Sequence, residues 1–272
     1  MKTKTLLDVV IVCGGRFDML EKCLKAVYEN AAFPISVCVV DNGSDKEKRN
    51  TNIHLFQPPD NPNIRFETKR LENSEGYPRT HNEGAKLLSS PIICFMDDDI
   101  QIVPGFFEEI IKIMGDRNIG VCGAKLLFPE DSTNPHRPGG KVQHIGLALD
   151  VTANAVHPLV GWSPDNSKTR KSRETLAVTG ALLVIRRDIF RDCGGFDTIY
   201  GHGYWEDLDL CLKVRQKGYK ILVDCNLTAY HYTGATGEMN PNHNSDFRKN
   251  RDIFRTKWGN SGLLVYDSWT YG

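Results

Sequence analysis

The chain has 272 residues, 40% of them hydrophobic, and its 34 lysines and arginines balance 34 aspartates and glutamates. These are ordinary globular values, and the length allows one large domain or two closely fused halves. Proteins that grip nucleic acid through many phosphates usually carry a basic excess, so the balanced charge argues against a nucleic acid polymer as partner.

The first half of the chain alternates strand-like and helix-like patterns. Continuous apolar runs predict buried strands, and apolar residues at helical spacing predict helices. In chain order the patterns predict strands at 7–13, 35–40, 64–66, 92–96 and 120–127, and helices at 18–28 (capped by Asp18), 80–88 and 106–114. This order favours an α/β fold with a mostly parallel, Rossmann-like sheet and helices on both faces. Such sheets bind ligands at the carboxyl ends of their strands.

The second half begins with an irregular region. Residues 129–173 are rich in Pro, Gly, Asn, His and charged residues, with one hairpin-like patch at 142–149. We expect long loops over the active face there, which form a mobile lid together with the tail after Gly234. Regular structure is predicted to resume with a strand at 177–185, a helix at 205–217, a strand at 219–223 and a C-terminal helix at 246–258.

The cysteines and the hydropathy pattern indicate the cellular compartment in which we expect the protein. None of the eight cysteines forms a Cys-x-x-Cys pair, and several lie in apolar runs, so we interpret them as buried free thiols of a reducing compartment, the cytoplasm. The apolar stretch near the N-terminus is interrupted by Asp8 and is too short for a signal peptide or a membrane span. We expect a soluble protein without a transmembrane segment, and docking on the inner face of a membrane stays open.

Three adjacent aspartates, Asp97, Asp98 and Asp99, directly follow a predicted buried strand. Adjacent carboxylates repel one another unless a cation or water satisfies them. Oxygen ligands at a strand end suit a hard divalent ion, Mg²⁺ or Mn²⁺, which in turn neutralises a diphosphate. A solvated acidic loop is the alternative, and the position at the end of a buried strand favours the metal.

Three other polar features are less specific. The stretch from Asn73 to Gly76 precedes a helix, where backbone can approach phosphate or ribose oxygens, but a plain turn explains it equally well. Glu206 and Asp207 open a helix, where an ionised carboxylate serves either as a cap or as a general base. His231 ends a strand-like run, and it is a candidate metal ligand if that strand end faces the aspartates.

In this order the segments resemble the inverting glycosyltransferases of family 2, which have the GT-A fold. The resemblance spans residues 7 to 235 and rests on an ordered series of motifs: Val39-Val40-Asp41-Asn42-Gly43-Ser44, an Asn-x-x-Gly…Asn-x-Gly stretch from Asn73 to Gly84, Asp97-x-Asp99, Thr179-Gly180-Ala181…Arg186, Gly194-Gly195-Phe196-Asp197, Glu206-Asp207-Leu208-Asp209-Leu210, and His231. The ordered series is far more specific than any one motif. One segment departs from it: the family often has Thr-Tyr-Asn-Arg after the first strand, and this chain has Cys13-Gly14-Gly15-Arg16.

The resemblance implies one GT-A domain over residues 1–272, with a nucleotide-sugar-binding half (1–99) and an acceptor-binding, catalytic half (100–272) that contains the acceptor-side loops. It implies transfer of a sugar, with inversion and with Mn²⁺ or Mg²⁺, from a UDP-, dTDP- or GDP-linked donor to a hydroxyl of a glycan or glycolipid. The implied nucleotide-sugar-binding residues are Val12, Asp41, Asn73, Gly76, Arg79, Asn82, Asp97 and Asp98. The other implied roles are metal ligation by Asp99 and His231, base catalysis by Asp207, and acceptor binding by Trp205 and Glu206.

One further segment, Val142-Gln143-His144-Ile145-Gly146 with the later His157, resembles bacterial polysaccharide and rhamnosyl transferases.

Other functions compete with this one. A sugar nucleotidyltransferase has a similar sheet, and Gly14-Gly15-Arg16 faintly resembles its phosphate loop, but a further glycine and a later Pro-Lys are missing. A non-catalytic nucleotide-sugar-binding module has no need of Asp99, Asp207 and His231 together. A retaining transferase shares the sheet and the metal site, and Asp207 argues against it. A dinucleotide-dependent oxidoreductase needs G-x-G-x-x-G after the first strand, which this chain lacks.

Overall fold

The computed structural model describes residues 5–150, 154–232 and 243–264. Its strands are β1 (Leu7–Cys13), β2 (Ile35–Asn42), β3 (Ile64–Leu71), β4 (Ile92–Asp97), β5 (Ile100–Ile102), β6 (Ile119–Leu127), β7 (Val142–His144), β8 (Ala148–Leu149), β9 (Ala155–Val156), β10 (Arg173–Glu174), β11 (Leu182–Arg186) and β12 (Lys220–His231). Its helices are α1 (Phe17–Glu29), α2 (Lys46–Thr51), α3 (Tyr77–Leu87), α4 (Phe106–Ile113), α5 (Arg187–Asp192), α6 (Glu206–Gln216) and α7 (His243–Trp258). Of the tail after Gly234, which the prediction includes in the lid, residues 235–242 and 265–272 lie outside the described residues.

One large sheet runs through both predicted halves of the chain, in the order β10-β12-β6-β11-β4-β1-β2-β3. The α/β class expected from the sequence is confirmed. The sheet is mixed rather than mostly parallel: β4, β1, β2 and β3 are parallel, but β11 is antiparallel to both of its neighbours, β4 and β6. Apolar periodicity reports burial and not strand direction. Parallel neighbours need a crossover connection, usually a helix, and among the described residues no single helix joins β11 directly to β4 or to β6.

Helices cover both faces of the sheet, and successive side chains of β1 point alternately to the two faces. Leu7, Val9 and Ile11 are fully buried on the face that α1 and α4 cover. Val10 is buried on the opposite face, in a cluster with residues of α3, α5, α6 and α7. Full burial of an aliphatic side chain stabilises the fold by roughly 1.5–3 kcal/mol, so both faces hold the sheet rigidly beneath its strand ends.

Several element boundaries differ from the sequence predictions. Asp18 is not a cap: α1 begins at Phe17 with Arg16 in the cap position, and Asp18 lies in the first turn. The strand predicted at 64–66 extends to Leu71, because this edge strand is half-exposed and carries too few apolar residues for the pattern to show it. The strand predicted at 219–223 runs to His231 through an irregularity between Asp224 and Thr228.

The region around 142–185 also differs in two respects. The hairpin predicted at 142–149 is wrong, because β7 pairs with β6 and the hairpin is formed by β8 and β9. The strand predicted from 177 begins only at Leu182, and residues 179–181 before it are irregular. The irregular conformation leaves the backbone groups of this stretch available to the candidate site.

The strand register brings the polar strand ends together. Val12 lies beside Val40 on one side and Asp97 on the other, and Cys13 lies beside Asp41. The eight cysteines are free thiols and all are buried or half-buried, as expected. Over the part of the chain that the structure describes, no helix is both long and apolar enough to cross a membrane.

Candidate active site

Asp97, Asp99 and His231 form a cluster whose ligand atoms all lie within 4.8 Å of one another. The cluster exists because β5 follows the aspartates directly and pairs with the end of β12, with Ile100 opposite His231. The backbone N–H of Tyr232 also donates to the carbonyl of Asp99 at 3.1 Å. The strand end that carries His231 therefore faces the aspartates, which is the condition for its role as a ligand.

Arg16 neutralises part of this acidic cluster. Its guanidinium pairs with Asp98 and donates to Asp99 Oδ2 at 2.8 Å. Two buried oxygens, Asp98 Oδ2 and Asp99 Oδ1, have no hydrogen-bond donor among the described residues, although Asp99 Oδ1 lies 3.3 Å from His231 Nε2. Unsatisfied buried carboxylate oxygens are costly, so these atoms point to a cation.

Burial and the neighbouring charges shift the pKa values of the three aspartates in different directions. Burial, reinforced by Asp99, raises the pKa of Asp97 to about 6. Burial also raises the pKa of Asp98 to about 7 against the opposing charge of Arg16. For Asp99 burial acts in the same direction, but without a bound ion the interaction with the His231 ring and the Arg16 guanidinium outweighs it and lowers the pKa. A bound divalent ion favours the ionised form of all three carboxyl groups.

The donor set fits a divalent ion that accepts both oxygen and imidazole nitrogen. Gln143 fixes the histidine, since its Oε1 lies 2.7 Å from His231 Nδ1 and its Nε2 donates to the His231 carbonyl at 3.0 Å. With Nδ1–H donating to Gln143, Nε2 carries the lone pair and faces Asp99. Carboxylates with one imidazole suit Mn²⁺ or Mg²⁺, so the residues present fit the predicted metal.

The predicted nucleotide-sugar residues divide into two groups. Val12, half-buried, and Asp41 lie at neighbouring strand ends in register with the metal cluster. The carboxylate of Asp41 accepts from the Ser44 N–H at 2.9 Å and from Arg70 at 2.8 Å, so its present partners belong to its own turn and to β3.

The other group lies around the start of α3. Asn73 and Arg79 are exposed, and Arg79 pairs with Glu75 at 2.9 Å. Gly76 has a φ of +78°, and a Cβ there would lie 2.1 Å from the Gly201 carbonyl oxygen, so packing against another loop explains this glycine. The predicted ligand contacts of these three residues stay predictions.

Asn82 has a structural partner that the sequence did not reveal. Its Nδ2 donates to the Phe196 carbonyl at 2.8 Å, and its Oδ1 accepts from the Phe196 N–H at 3.0 Å. Both ends of the amide are therefore engaged with one backbone position. Asn82 thus holds the turn at Phe196 to α3, and its predicted contact with the nucleotide sugar stays a prediction.

Asp207 lies half-buried in the first turn of α6, as predicted. Its Oδ2 accepts from the Gly180 N–H at 3.0 Å, and its Oδ1 accepts from the Leu208 N–H at 2.8 Å. Burial raises the pKa of Asp207, and these backbone hydrogen bonds oppose the shift. The result is a carboxylate held in one orientation with a proton affinity above the usual value.

The two residues before Asp207 are more enclosed than an acceptor-binding surface requires. Glu206 is 5% exposed, its Oε2 has no partner among the described residues, and burial followed by the charge of Asp207 raises its pKa well above the ordinary value. Trp205 is 3% exposed and packs against Phe254 of α7 in a tilted arrangement, with ring centroids 4.9 Å apart. Trp205 is thus placed to shape the site through packing, and acceptor contact by either residue stays a prediction.

Residues 179–181, here called the bridging segment, connect the metal cluster to Asp207. Besides the Gly180 N–H on Asp207, the Asp97 N–H donates to the Ala181 carbonyl at 3.0 Å. The Tyr77 hydroxyl donates to the Gly180 carbonyl at 2.5 Å. The backbone polar groups of the bridging segment therefore form hydrogen bonds with residues of the site instead of with a neighbouring strand.

Two histidines support the bridging segment from the loop side. The N–H groups of Gly146 and Thr179 both donate to His144 Nε2 at 3.3 Å, so His144 carries its proton on Nδ1. That nitrogen lies 2.9 Å from Nδ1 of His157. Burial lowers the pKa of His144 well below its usual value, which keeps the ring neutral and this tautomer in place.

Sequence reasoning missed three participants. Arg16 was noticed only as a departure from the family pattern, although a basic residue facing three aspartates is a signal in its own right. Gln143 belongs to a motif that was recognised, but no role was predicted for its side chain. Tyr77 carried no signal, because its contact with Gly180 joins residues 103 positions apart.

Comparison with known proteins identifies the family. Residues 8–194 match the family model described as glycosyl transferase family 2. The chain belongs to glycosyl transferase family 2. This family domain is similar to the O-antigen biosynthesis protein RfbC of Myxococcus xanthus, with 24% identity over 96% of this chain and 20% of that protein. It is also similar to the N-acetylglucosaminyl-diphospho-decaprenol L-rhamnosyltransferase of Mycobacterium tuberculosis, with 22% identity over 92% of this chain and 83% of that enzyme.

Solved structures agree with the family assignment at the level of fold. GalNAc-T7, crystallised with UDP, GalNAc and Mn²⁺, superposes with a TM-score of 0.68 at 18% identity, over 98% of this chain and 53% of that one. The mannosyltransferase PcManGT of Pyrobaculum calidifontis, in complex with GDP-Man and Mn²⁺, gives a TM-score of 0.61 at 13% identity, over 96% and 72%. These glycosyltransferases show that the predicted GT-A fold is correct.

The family domain accounts for a small part of some relatives. The chain spans a fifth of the length of RfbC and 28% of the protein y4gI of Sinorhizobium fredii, to which it is 24% identical.

Proposed function

We propose that this domain transfers a sugar from a nucleotide-diphosphate sugar to an acceptor hydroxyl, with inversion and with the help of a divalent metal ion. The observation that carries the proposal is the bridging segment, which joins the cluster of Asp97, Asp99 and His231 to the separately held carboxylate of Asp207. Inverting displacement needs a leaving-group site and a base as two distinct groups in one rigid frame.

The donor side is assigned to the metal cluster. Asp99 and His231 hold the ion, Gln143 orients His231, and Asp97 and Asp98 line the same strand end. When bound, a divalent ion neutralises the charge that develops on the departing diphosphate. Arg16 is the cation next to that position, and it supplies positive charge toward phosphate oxygens. UDP in the GalNAc-T7 structure and GDP-Man in that of PcManGT support a nucleotide-linked donor.

The acceptor side is assigned to Asp207. Its raised pKa suits a general base, because a base works best when its proton affinity approaches the operating pH. The Gly180 and Leu208 N–H groups hold the carboxylate in one orientation and leave its remaining lone pairs for an incoming hydroxyl. Glu206 and Trp205 define the position of this helix start.

The relatives suggest the substrate class. The O-antigen and rhamnosyltransferase names of two relatives favour a glycan or glycolipid acceptor and a role in polysaccharide or glycoconjugate synthesis. A nucleotidyltransferase is the weaker alternative, since Asp207 has no evident task in nucleotidyl transfer.

The test begins with the donor. A thermal-shift screen of UDP, dTDP and GDP with and without Mn²⁺ should show a metal-dependent rise in Tm for one nucleotide, because binding stabilises the folded state by mass action. The corresponding nucleotide sugars are then assayed for transfer or hydrolysis, and proton NMR compares the anomeric configuration of the product with that of the donor. We expect inversion, and retention would refute the proposed mechanism.

The metal is tested on the same assay. EDTA should abolish activity, and Asp99→Asn should lose metal-dependent nucleotide binding. Asp116→Asn, at an exposed aspartate outside the site, is the matched control and should behave as wild type. Full activity in EDTA would contradict metal dependence.

A further inference from the structure

The loop that leads into the proposed base has an unusual backbone. In residues 200–205, here called the base loop, Tyr204 and Trp205 have φ values of +72° and +77°, and Gly203 has a φ of +135°. Two consecutive bulky residues in the left-handed region are strained, and such backbone persists only where its surroundings hold it. Glu206 and Asp207 follow immediately, so whatever holds this loop also sets the position of Asp207.

Asn250 of α7 holds the base loop from one side. It is 3% exposed, and its Nδ2 donates to the carbonyls of Tyr200 at 2.7 Å and Gly203 at 2.6 Å. The Tyr204 carbonyl lies 3.3 Å from the same nitrogen. An amide NH₂ has two hydrogens, so the two short contacts use its full donor capacity on the loop.

The start of α3 holds the base loop from the other side. The Tyr77 N–H donates to the His202 carbonyl at 3.2 Å, and the close approach of Gly76 to Gly201 leaves no room for a side chain. The loop is therefore clamped between two helices, and release of either contact lets it relax toward an ordinary backbone conformation.

The helix that carries Asn250 is itself anchored to the helix that carries Asp207. Asp209 of α6, which is fully buried, accepts from Trp258 Nε1 at 2.8 Å and pairs with Lys257 Nζ at 2.7 Å. Trp205 packs against Phe254 nearby. Because α7 cannot move freely relative to α6, the Asn250 amide is a fixed point for the base loop.

We propose that Asn250 is a positioning residue for catalysis, which holds the base loop in its left-handed conformation and thereby aims Asp207 at the acceptor hydroxyl. The proposal rests on the proposed role of Asp207 as base. It assigns a task to the C-terminal helix, which lies beyond the residues matched by the family model, 8–194.

The test compares Asn250→Ala with Lys249→Ala, an exposed neighbour on the same helix. Turnover is measured with the UDP-, dTDP- or GDP-linked sugar that the wild-type protein uses. We expect kcat of Asn250→Ala to fall by about 10- to 100-fold, since a displacement of about 1 Å costs on the order of 100-fold in rate. The donor KM and the Mn²⁺-dependent affinity for the free nucleotide should change less than about twofold, and Lys249→Ala should match wild type.

Two further variants keep the test informative if Asn250→Ala is poorly folded. Asn250→Asp has the same size but turns a carboxylate oxygen toward the loop carbonyls, so kcat should fall at least as far. Asn250→Gln retains the two donors one methylene further out, so it should lose less activity than Asn250→Asp. Hydrogen–deuterium exchange should rise in peptides covering residues 200–207 and stay unchanged at 92–100.

The outcomes separate this inference from the proposed function. A lower Tm with unchanged kcat and unchanged exchange at 200–207 in all three variants would make Asn250 merely structural and overturn the inference. If Asp207→Asn is inactive while the Asn250 variants are fully active, the base assignment stands and the inference fails. If Asp207→Asn is active, the base lies elsewhere, and the assignment of Asp207 in the proposed function fails independently of the Asn250 variants.

Discussion

The amide N–H of Gly180 donates to Oδ2 of Asp207 at 3.0 Å, across 27 positions of the chain. Gly180 lies two residues before β11, and β11 pairs with β4, whose last residue is Asp97. The short backbone stretch between Gly180 and β11 thus sets the distance between the metal cluster and the proposed base. Catalytic groups placed on such a frame need little rearrangement when substrates bind.

Gly180→Ala tests this frame. An added Cβ would lie 2.6 Å from the Tyr77 hydroxyl oxygen, so the hydroxyl or the bridging segment must shift. We expect a loss of about 1–3 kcal/mol in the free energy of unfolding, measured with urea, and a clear drop in kcat. Adding Tyr77→Phe removes the clashing oxygen and should recover part of the stability, which a double-mutant cycle would detect. Gly14→Ala, where the new Cβ meets no atom within 4 Å, is the control. A fully active and stable Gly180→Ala would contradict the prediction.

Asp207→Asn keeps the shape of the proposed base and removes its proton affinity. The variant should fold and bind the donor nearly as wild type does, while turnover falls by about 100- to 10,000-fold. Glu206→Gln should be milder if Glu206 only shapes the site. Turnover and donor affinity are measured on the same preparations, with the exposed Asp192→Asn as the matched control. Equal activity of Asp207→Asn and wild type would show that the base lies elsewhere.

Arg16→Gln tests the electrostatics of the metal cluster. Arg16 compensates Asp98 and Asp99, both about 2% exposed, and loss of one partner of a buried ion pair costs on the order of 3–5 kcal/mol. The metal-free variant should therefore melt well below wild type. Mn²⁺ should raise the Tm of the variant more than that of wild type, because the ion replaces the missing positive charge.

The control for this prediction is Arg65→Gln, which removes an exposed pair with Glu67 and should change little. An equal response of Arg16→Gln and wild type to Mn²⁺ would show that Arg16 and the metal act independently.

His81 gives a pH dependence of stability. The ring is fully buried beside Tyr77, with ring centroids 3.9 Å apart, and burial lowers its pKa to about 3. The unfolded chain binds this proton near pH 6.5 and the folded chain does not, so stability is complete above pH 6.5 and declines as the pH falls toward 3. From pH 7 to pH 5 the free energy of unfolding should drop by about 2 kcal/mol through His81 alone.

Urea unfolding of His81→Gln at both pH values measures this contribution. The variant should show a smaller loss between pH 7 and pH 5 than wild type. Some dependence should remain, because burial also lowers the pKa of His144. An identical slope for variant and wild type would exclude His81 as a source of the acid sensitivity.

The α/β class, the positions of most buried strands and the acidic residues in both halves of the candidate site could all be predicted from the amino-acid sequence. Apolar runs such as that of β1 report burial directly, and the position of Asp97 to Asp99 at a strand end follows from chain order alone. The family resemblance added His231 and Asp207 as partners, and their side chains are found at the metal cluster and at the bridging segment.

Which polar groups contact one another could be read from the folded chain and not from the sequence. The family resemblance predicted Asn82 and Gly76 as ligand contacts, and the structure adds that they also lie against Phe196 and Gly201. Asn250 had no signal at all, because its partners lie about 50 positions away. Periodicity encodes which side of an element is buried. The direction of β11 and the pairing of distant polar atoms depend on how the buried faces pack against one another. This packing is defined only when the whole chain has folded around one sheet.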